Sequence, residues 1–430
     1  MRATSPSSLS AQTQRPPEAK AAISGDIVTV LAPGEGSLPR RRAGSAQDRE
    51  AQLVALLQEL TGEGAGLDAL AFRKSLEARA PASIEALAVD CDCYARFVAR
   101  HGGIGLPASE ARLVAYVEHC EARRLKPTTV SRRLSSLAVA HQLLGFHSPV
   151  GASVVRDALR GHRRRVGVRQ RQAGPLRFGE GIGRDAAKGF TLSVLLEACG
   201  GDLVGLRDAA LLSLGYDAGL RVSELVAVQL DRIEPQKDGS ALLELARSKT
   251  DQEGQGAWVW LSPDTTRRVA LWVEAAAIRT GVLFRRVAVI RTKGRAPRRE
   301  LTISDLAYHA KVDRERMAAQ PARAAMSTYT IGENALTPAA VRLIIKRRAL
   351  AAADQGLVDL MGADLAKAVK ALSTHSLRVG LTQDLFASGE DAGPIAQALR
   401  WTSTATALRY GRKLAPSSNA AARMLKGVRK

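Results

Sequence analysis

The stretch Ala241-Leu242-Leu243-Glu244-Leu245-Ala246, followed after a polar turn by Ala257-Trp258-Val259-Trp260-Leu261, decides how the longer half of this chain folds. Two short runs rich in aliphatic and aromatic residues, separated by a polar segment, read as a β-hairpin. The turn begins Arg247-Ser248-Lys249-Thr250 and projects a lysine from between the strands. Nearly everything else from Phe190 onward follows a helical apolar period. The expectation is a mainly α fold in which this second domain is mixed α+β with one small antiparallel sheet.

Working outward toward the N-terminus, the pattern is helical from about Asp48 to Gly161. Ile84, Leu87, Cys91, Ala95 and Val98 form one stripe, and Leu113, Val114, Val117 and Cys120 another. A third helix follows Lys126-Pro127-Thr128-Thr129, where a threonine can cap it, and buries Val130, Leu134, Leu137 and Leu144. Ser148-Pro149 begins a fourth. The expected organisation is a disordered basic arm over residues 1–46, a small all-helical domain over 47–162, a linker over 163–189 where Gly, Arg and Gln displace apolar periodicity, and the α+β domain over 190–430. Within the linker, Gly179-Glu180-Gly181-Ile182-Gly183 follows no strand and lacks the Lys-Ser/Thr ending of a phosphate loop, so a nucleotide is not its expected ligand.

The chain has 430 residues and a formal net charge of +21, which points to a polyanionic partner. Only 4% of residues are aromatic, which disfavours a single-strand binder that stacks bases and leaves duplex DNA as the favoured ligand. With no apolar run near the ~20 residues that span a bilayer and no signal-peptide core, the expected location is cytoplasmic, on the nucleoid, without a membrane partner. The four cysteines, Cys91, Cys93, Cys120 and Cys199, lack zinc-ligand spacing and read as small buried thiols. Arg132 and Arg133 lie off the apolar stripe of the third helix, and Arg163, Arg164 and Arg165 extend the fourth. These five are the candidate phosphate-gripping residues, although any one of them can simply belong to a solvated face.

Three further segments carry chemistry. Gly219-Leu220-Arg221-Val222-Ser223-Glu224-Leu225 places Arg221 at a helix start after a glycine break. The hairpin turn offers Lys249. His375-Ser376-Leu377-Arg378-Val379-Gly380 is followed by Trp401 and then Tyr410 near the C-terminus. A lone buried Arg, His or Tyr is usually structural. Their joint order (Arg, Lys, His-x-x-Arg, Trp, Tyr) and their spacing resemble the tyrosine site-specific recombinases of the phage-integrase family, with spacing nearest its Cre-like members. The resemblance runs from about Ala82 to the C-terminus.

It implies a core-binding DNA-binding domain followed by a catalytic domain that cleaves and rejoins duplex DNA through a 3′-phosphotyrosine. Tyr410 is then the nucleophile, Lys249 the general acid, and Arg221, His375, Arg378 and Trp401 the groups around the scissile phosphate. It further implies a homotetramer on paired recombination sites, strand exchange through a Holliday junction, and rejoining without ATP, metal or other cofactor. A C-terminal helix over 419–425, bearing Ala420, Ala421, Met424 and Leu425, either exchanges with a neighbouring protomer or packs on its own subunit. Glu224 either orients Arg221 or His375, or is an ordinary intrahelical partner. The sequence departs from the family in a longer N-terminal arm, in a basic insertion over about Arg291 to Leu336, and in Arg400, which stands before Trp401 where glycine is usual.

Physical chemistry independently favours such a cluster. Phosphodiester cleavage needs its barrier lowered by on the order of 20 kcal/mol, whereas one well-placed donor contributes about 3–4, so several must converge. A guanidinium matches two nonbridging oxygens, while an indole can only donate. Two other readings stand beside it: a topoisomerase of type IB, which relaxes DNA by the same tyrosine chemistry, and a non-catalytic duplex-binding protein, which would keep the basic surfaces yet need no ordered constellation.

Overall fold

The computed structural model describes residues 27–31, 46–61, 69–168, 172–179, 189–246, 256–305, 317–411, 421, 424–425 and 428–429. The chain divides into two compact units, one formed by Arg40–Arg171 and the other by Met1–Pro39 together with Gln172–Lys430.

The first unit is helical: α1 (Ala46–Thr61), α2 (Ala69–Glu77), α3 (Pro81–His101), α4 (Glu110–Ala122), α5 (Pro127–Leu143) and α6 (Ser153–Val166). Its boundaries follow local chemistry. Ser109 caps α4 by accepting from the Arg112 N–H, and Gly102, at φ 72°, ends α3 with its N–H on the Val98 carbonyl. At α5 the expected threonine cap is not used. Lys126 occupies the N-cap position and Pro127 the first helical one, where its fixed φ suits the helix and its missing N–H costs nothing. Leu87, Cys91, Ala95 and Val98 of α3 pack with Leu113 and Val117 of α4 and with Val130, Leu134 and Leu137 of α5 in one core. Tyr94 sits in it edge-on to Tyr116 and sends its hydroxyl to the Gly105 carbonyl.

The second unit holds α7 (Leu192–Glu197), α8 (Leu203–Asp217), α9 (Val222–Ala227), α10 (Pro263–Ala275), α11 (Pro338–Asp354), α12 (Gly362–Ala371), α13 (Ser376–Ala387), α14 (Ala392–Ala398) and α15 (Thr404–Tyr410). The hairpin lies where the sequence puts it. A strand over Ala241–Leu245 runs antiparallel to one over Ala257–Leu261, with Leu243 opposite Val259. Ala241, Leu243, Leu245, Val259 and Leu261 face the core, while Trp258 and Trp260 alternate to the exposed side. A short strand, Ile233–Pro235, extends this sheet.

A second sheet was not expected. Ile27–Leu31, here β1, pairs in parallel with Met326–Ala335, and that strand pairs antiparallel with Arg285–Thr292. With the three strands of the first sheet as β2 to β4, these last two are β6 and β5, and the sheet order is β1-β6-β5. Residues 27–31 are therefore no part of a disordered arm, and the region taken as a basic insertion supplies the central strand. The run Ile27-Val28-Thr29-Val30-Leu31 favours a strand, but its partner lies about 300 residues away, so no local hairpin signal announces the pairing.

The linker also needs correcting at both ends. Arg163, Arg164 and Arg165 form the last turn of α6. Residues 172–179 pack onto the second unit: the Gly174 N–H donates to the Ala371 carbonyl and the Leu176 N–H to the Ser376 carbonyl. The Leu176 side chain is fully buried in that unit's core. One anchoring leucine leaves no periodic trace in the sequence. Glu180-Gly181-Ile182-Gly183 of the glycine-rich run lies outside the described residues.

Candidate active site

The site is built on breaks between helices. α8 ends at Asp217, and Gly219 follows at φ 53°, where a Cβ would collide with the Leu399 side chain. The reversal leaves Arg221 at the N-cap of α9. Arg378, on the first turns of α13, is almost completely buried and spreads its fork across the chain, Nη1 donating to the Gly219 carbonyl and Nη2 to the Leu399 carbonyl. Two turn carbonyls thus fix the guanidinium, and through it the spacing of the α8–α9 and α14–α15 connections. Gly380 has its own reason to be glycine: a Cβ there would collide with the Leu176 carbonyl, where residues 172–178 cross α13.

Tyr410 is the last residue of α15. Its hydroxyl lies 2.7 Å from His375 Nε2. The Trp401 ring stacks on the phenol, with centroids 5.3 Å apart and planes 12° apart. The Arg378 guanidinium carbon lies 5.0 Å above the Trp401 ring, within cation–π range. His375, Tyr410, Trp401 and Arg378 therefore form one continuous contact chain, although 35 residues separate His375 from Tyr410.

Arg221 enters from the other side through Glu224. The Glu224 carboxylate accepts from Arg221 Nη1 at 2.8 Å and from the Arg221 backbone N–H at 3.0 Å. Its second oxygen also receives Arg400 Nη2 at 3.3 Å. Burial alone would raise the Glu224 pKa, but the Arg221 donors and the Arg400 charge hold it below the usual carboxylate range. Burial, then the Arg221 and Arg400 charges, push Arg378 down to about 9. Burial and the charges of Arg378 and Arg221 lower His375 as well, which keeps its imidazole neutral at pH 7. Among the described residues, the buried Nε atoms of Arg378 and Arg400 have no hydrogen-bond partner. A pocket in which cations depress one another and leave donors unspent is poised for an anion.

The sequence is similar to those of two known recombinases. The chain is 30% identical over 232 residues to an integrase/recombinase, the XerD homologue of Selenomonas ruminantium, a match covering 52% of this chain and 64% of that protein. It is 25% identical over 341 residues to the recombinase Cre of Escherichia phage P1, covering 78% of this chain and 85% of Cre. Both relatives carry the name recombinase, and the chain is similar to each over more than half of its own length. It spans less than two thirds of the length of the XerD homologue. Among solved structures, the XerH site-specific recombinase bound to palindromic difH substrate, in a post-cleavage complex, is 12% identical with a TM-score of 0.48, covering 89% of this chain and 97% of that one. The Tn1549 transposon integrase in complex with transposon right end DNA is 11% identical with a TM-score of 0.46, covering 87% and 98%. No protein-family model matches the sequence.

Other family positions are distributed unevenly. Lys249, the expected hairpin lysine, lies outside the described residues. Glu224 engages Arg221 and Arg400, and His375 is not a partner of its carboxylate in any described contact. Of the five candidate DNA-binding arginines, Arg132 pairs with buried Asp90 at 2.8 Å. Arg133 turns inward, with its side chain 16% exposed, Nη2 3.2 Å from Cys93 Sγ and Nη1 3.5 Å from the Tyr116 hydroxyl. It is a packing residue and not a surface phosphate ligand, because its long stem carries the charge back over the helix. Arg163 reaches Ser131, Arg165 holds Glu121 in a bidentate pair at 2.6 and 2.7 Å, and Arg164 is exposed.

Sequence reasoning missed Asp384. This buried carboxylate receives Arg177 Nε at 2.6 Å, the Phe178 N–H at 2.7 Å and the Tyr216 hydroxyl at 2.5 Å. It ties residues 177–178 and α8 to α13, the helix that carries Arg378. Its position six residues after Arg378 was the available signal, since a carboxylate on an otherwise apolar stretch of helix needs partners.

At the C-terminus, Asn419 and Ala420 of the expected terminal helix lie outside the described residues. Met424 and Leu425 are helical and exposed. No described helix is long and apolar enough to cross a membrane.

Proposed function

We propose that this chain is a site-specific DNA recombinase that cleaves and rejoins duplex DNA through a 3′-phosphotyrosine at Tyr410. The observation that carries the reading is the 2.7 Å approach of the Tyr410 hydroxyl to a neutral His375, with Trp401 stacked on the same phenol and Arg378 over the Trp401 ring. In the proposed mechanism Arg221 and Arg378 bind the nonbridging oxygens of the scissile phosphate, and Trp401 donates its indole N–H. As the Tyr410 oxygen attacks phosphorus, His375 Nε2 takes the phenolic proton and can then donate it as a hydrogen bond to the phosphate. The 5′-oxygen departs with a proton from Lys249. The phosphotyrosine conserves the phosphodiester's energy, so a 5′-hydroxyl can reverse the step without ATP or metal.

The partner in this reading is a duplex recombination site, gripped by the helical unit as a core-binding domain and by the second unit as the catalytic domain. Four protomers on paired sites exchange strands through a Holliday junction, and the terminal helix with exposed Met424 and Leu425 docks into a neighbouring copy. The test is to incubate the purified protein with its own flanking genomic DNA and map covalent protein–DNA junctions, with Tyr410→Phe beside the wild type. The wild type should give a discrete 3′-linked adduct and the variant none. An adduct that persists unchanged in Tyr410→Phe removes Tyr410 from the chemistry. Relaxation of plasmid by a monomer, with no paired-site product, replaces recombination by a topoisomerase activity.

A further inference from the structure

The family's usual glycine before the tryptophan is arginine here, and the backbone records the exchange. Arg400 has φ 54°, the left-handed region that glycine enters freely and other residues enter at a cost. A non-glycine residue held in that conformation calls for a compensating role. Its side chain has one in view. It is mostly buried, its Nη1 lies 3.2 Å from the Ala218 carbonyl, its Nη2 lies 3.3 Å from Glu224 Oε2, and its Nε has no partner among the described residues.

Glu224 is the key to what the extra guanidinium does. With Arg221 alone, the carboxylate would neutralise the cation meant for the phosphate. Arg400 takes a share of one oxygen and adds a charge. Three guanidiniums against one carboxylate leave the described cluster at +2, where glycine at position 400 would leave +1. A phosphodiester carries one negative charge, and charge on its nonbridging oxygens grows as the tyrosine attacks. A cluster of +2 therefore favours the transition state over the ground state more than a cluster of +1 does.

We propose that Arg400 is a positioning and charge-setting residue of the cleavage reaction. It holds Glu224 off full neutralisation of Arg221 and supplies the additional positive charge that the developing phosphorane needs. This rests on the recombinase reading above, and its test separates the two. On a nicked duplex bearing the mapped junction, single-turnover formation of the covalent adduct is measured for wild type, Arg400→Gly, Arg400→Lys, Arg400→Gly with Glu224→Gln, and Tyr410→Phe as control. Loss of one electrostatic partner predicts a fall of roughly tenfold or more in the Arg400→Gly rate at unchanged DNA affinity. Arg400→Lys should keep a higher rate than glycine, although it suffers the same φ. Glu224→Gln should recover rate in the glycine background, because it removes the carboxylate that Arg400 no longer offsets.

Glycine relieves the backbone, so the Tm of Arg400→Gly should not fall in step with its rate. A wild-type rate in Arg400→Gly, or a rate loss that follows Tm and is not recovered by Glu224→Gln, overturns the proposal. If Tyr410→Phe is meanwhile inactive, the recombinase reading stands without it.

Discussion

Arg378 and Arg133 are both guanidiniums drawn out of solvent, one in each unit, and their surroundings push them in opposite directions. Burial opposes the charge in both. At Arg133 the Tyr116 hydroxyl and the Cys93 and Cys120 thiols, all able to carry negative charge, outweigh burial and raise the pKa. At Arg378 burial and the charges of Arg221 and Arg400 outweigh the opposing Glu224 and Tyr410, and the pKa falls to about 9. The first cation has found its partners inside the fold. The second is held by two carbonyls with its charge largely unanswered, which is how a protein keeps a place for a ligand's anion at some expense to its own stability.

The largest effect that could break this contrast is on chemistry. Arg378→Lys keeps a charge but loses the fork, so adduct formation should fall by about 100-fold or more while site affinity stays within a few-fold. A wild-type single-turnover rate in that variant rejects the bidentate phosphate role. The matching change in the other unit, Arg133→Met, should lower the Tm of the full chain in a thermal melt and leave the salt dependence of DNA binding unaltered. An undiminished Tm together with a flatter salt slope would return Arg133 to the DNA-facing set.

Smaller still is the expected effect at the α6 terminus. Arg164→Ala should reduce the slope of log affinity against log salt by about 1, as for one lost phosphate contact. Arg165→Ala should change it less, because Glu121 already answers that charge. Equal slopes for the two variants would show that the Glu121 pair opens on DNA.

The smallest effect is a pH dependence. The folded pKa of His375 is below its ordinary value of 6.5, so below about pH 6.5 the unfolded chain takes up a proton that the folded chain resists. His375 therefore contributes a loss of stability as the pH falls through that range, and His375→Gln should flatten the acid side of a Tm-against-pH curve. An identical curve in the variant would place the acid sensitivity elsewhere.

The parts of this molecule that were legible in the sequence are those whose cause is local. The β3–β4 hairpin declares itself because both strands and their turn lie within about 20 residues. The order Arg221, His375, Arg378, Trp401, Tyr410 is legible as a pattern of residue types, and the last four of them meet in the fold. What was hidden depends on reach or on distance along the chain. Arg133 sits off the apolar stripe, yet its long side chain returns to Cys93, 40 residues earlier. β6, with Ser327, Thr328, Thr330 and Glu333 among its residues, has no clean alternation, and its parallel neighbour comes from the opposite end of the sequence. The departure at position 400 was visible as a residue type, but its φ and its claim on Glu224 were not.

The pairing of β1 with β6 makes the helical unit an interruption, since the chain leaves the second unit after residue 39 and returns to it at residue 172. Two polypeptide crossings join the units in place of one. During synthesis β1 emerges before its partner and must wait without a strand neighbour until nearly 300 further residues have left the ribosome. The helical unit can fold in that interval, because its contacts are complete by residue 171. Closure of so long a loop costs entropy that grows only slowly with length, but it cannot precede the arrival of its far end. The sheet around β6 thus closes only after the whole helical unit has been synthesised, and the order of translation sets when the second unit becomes whole.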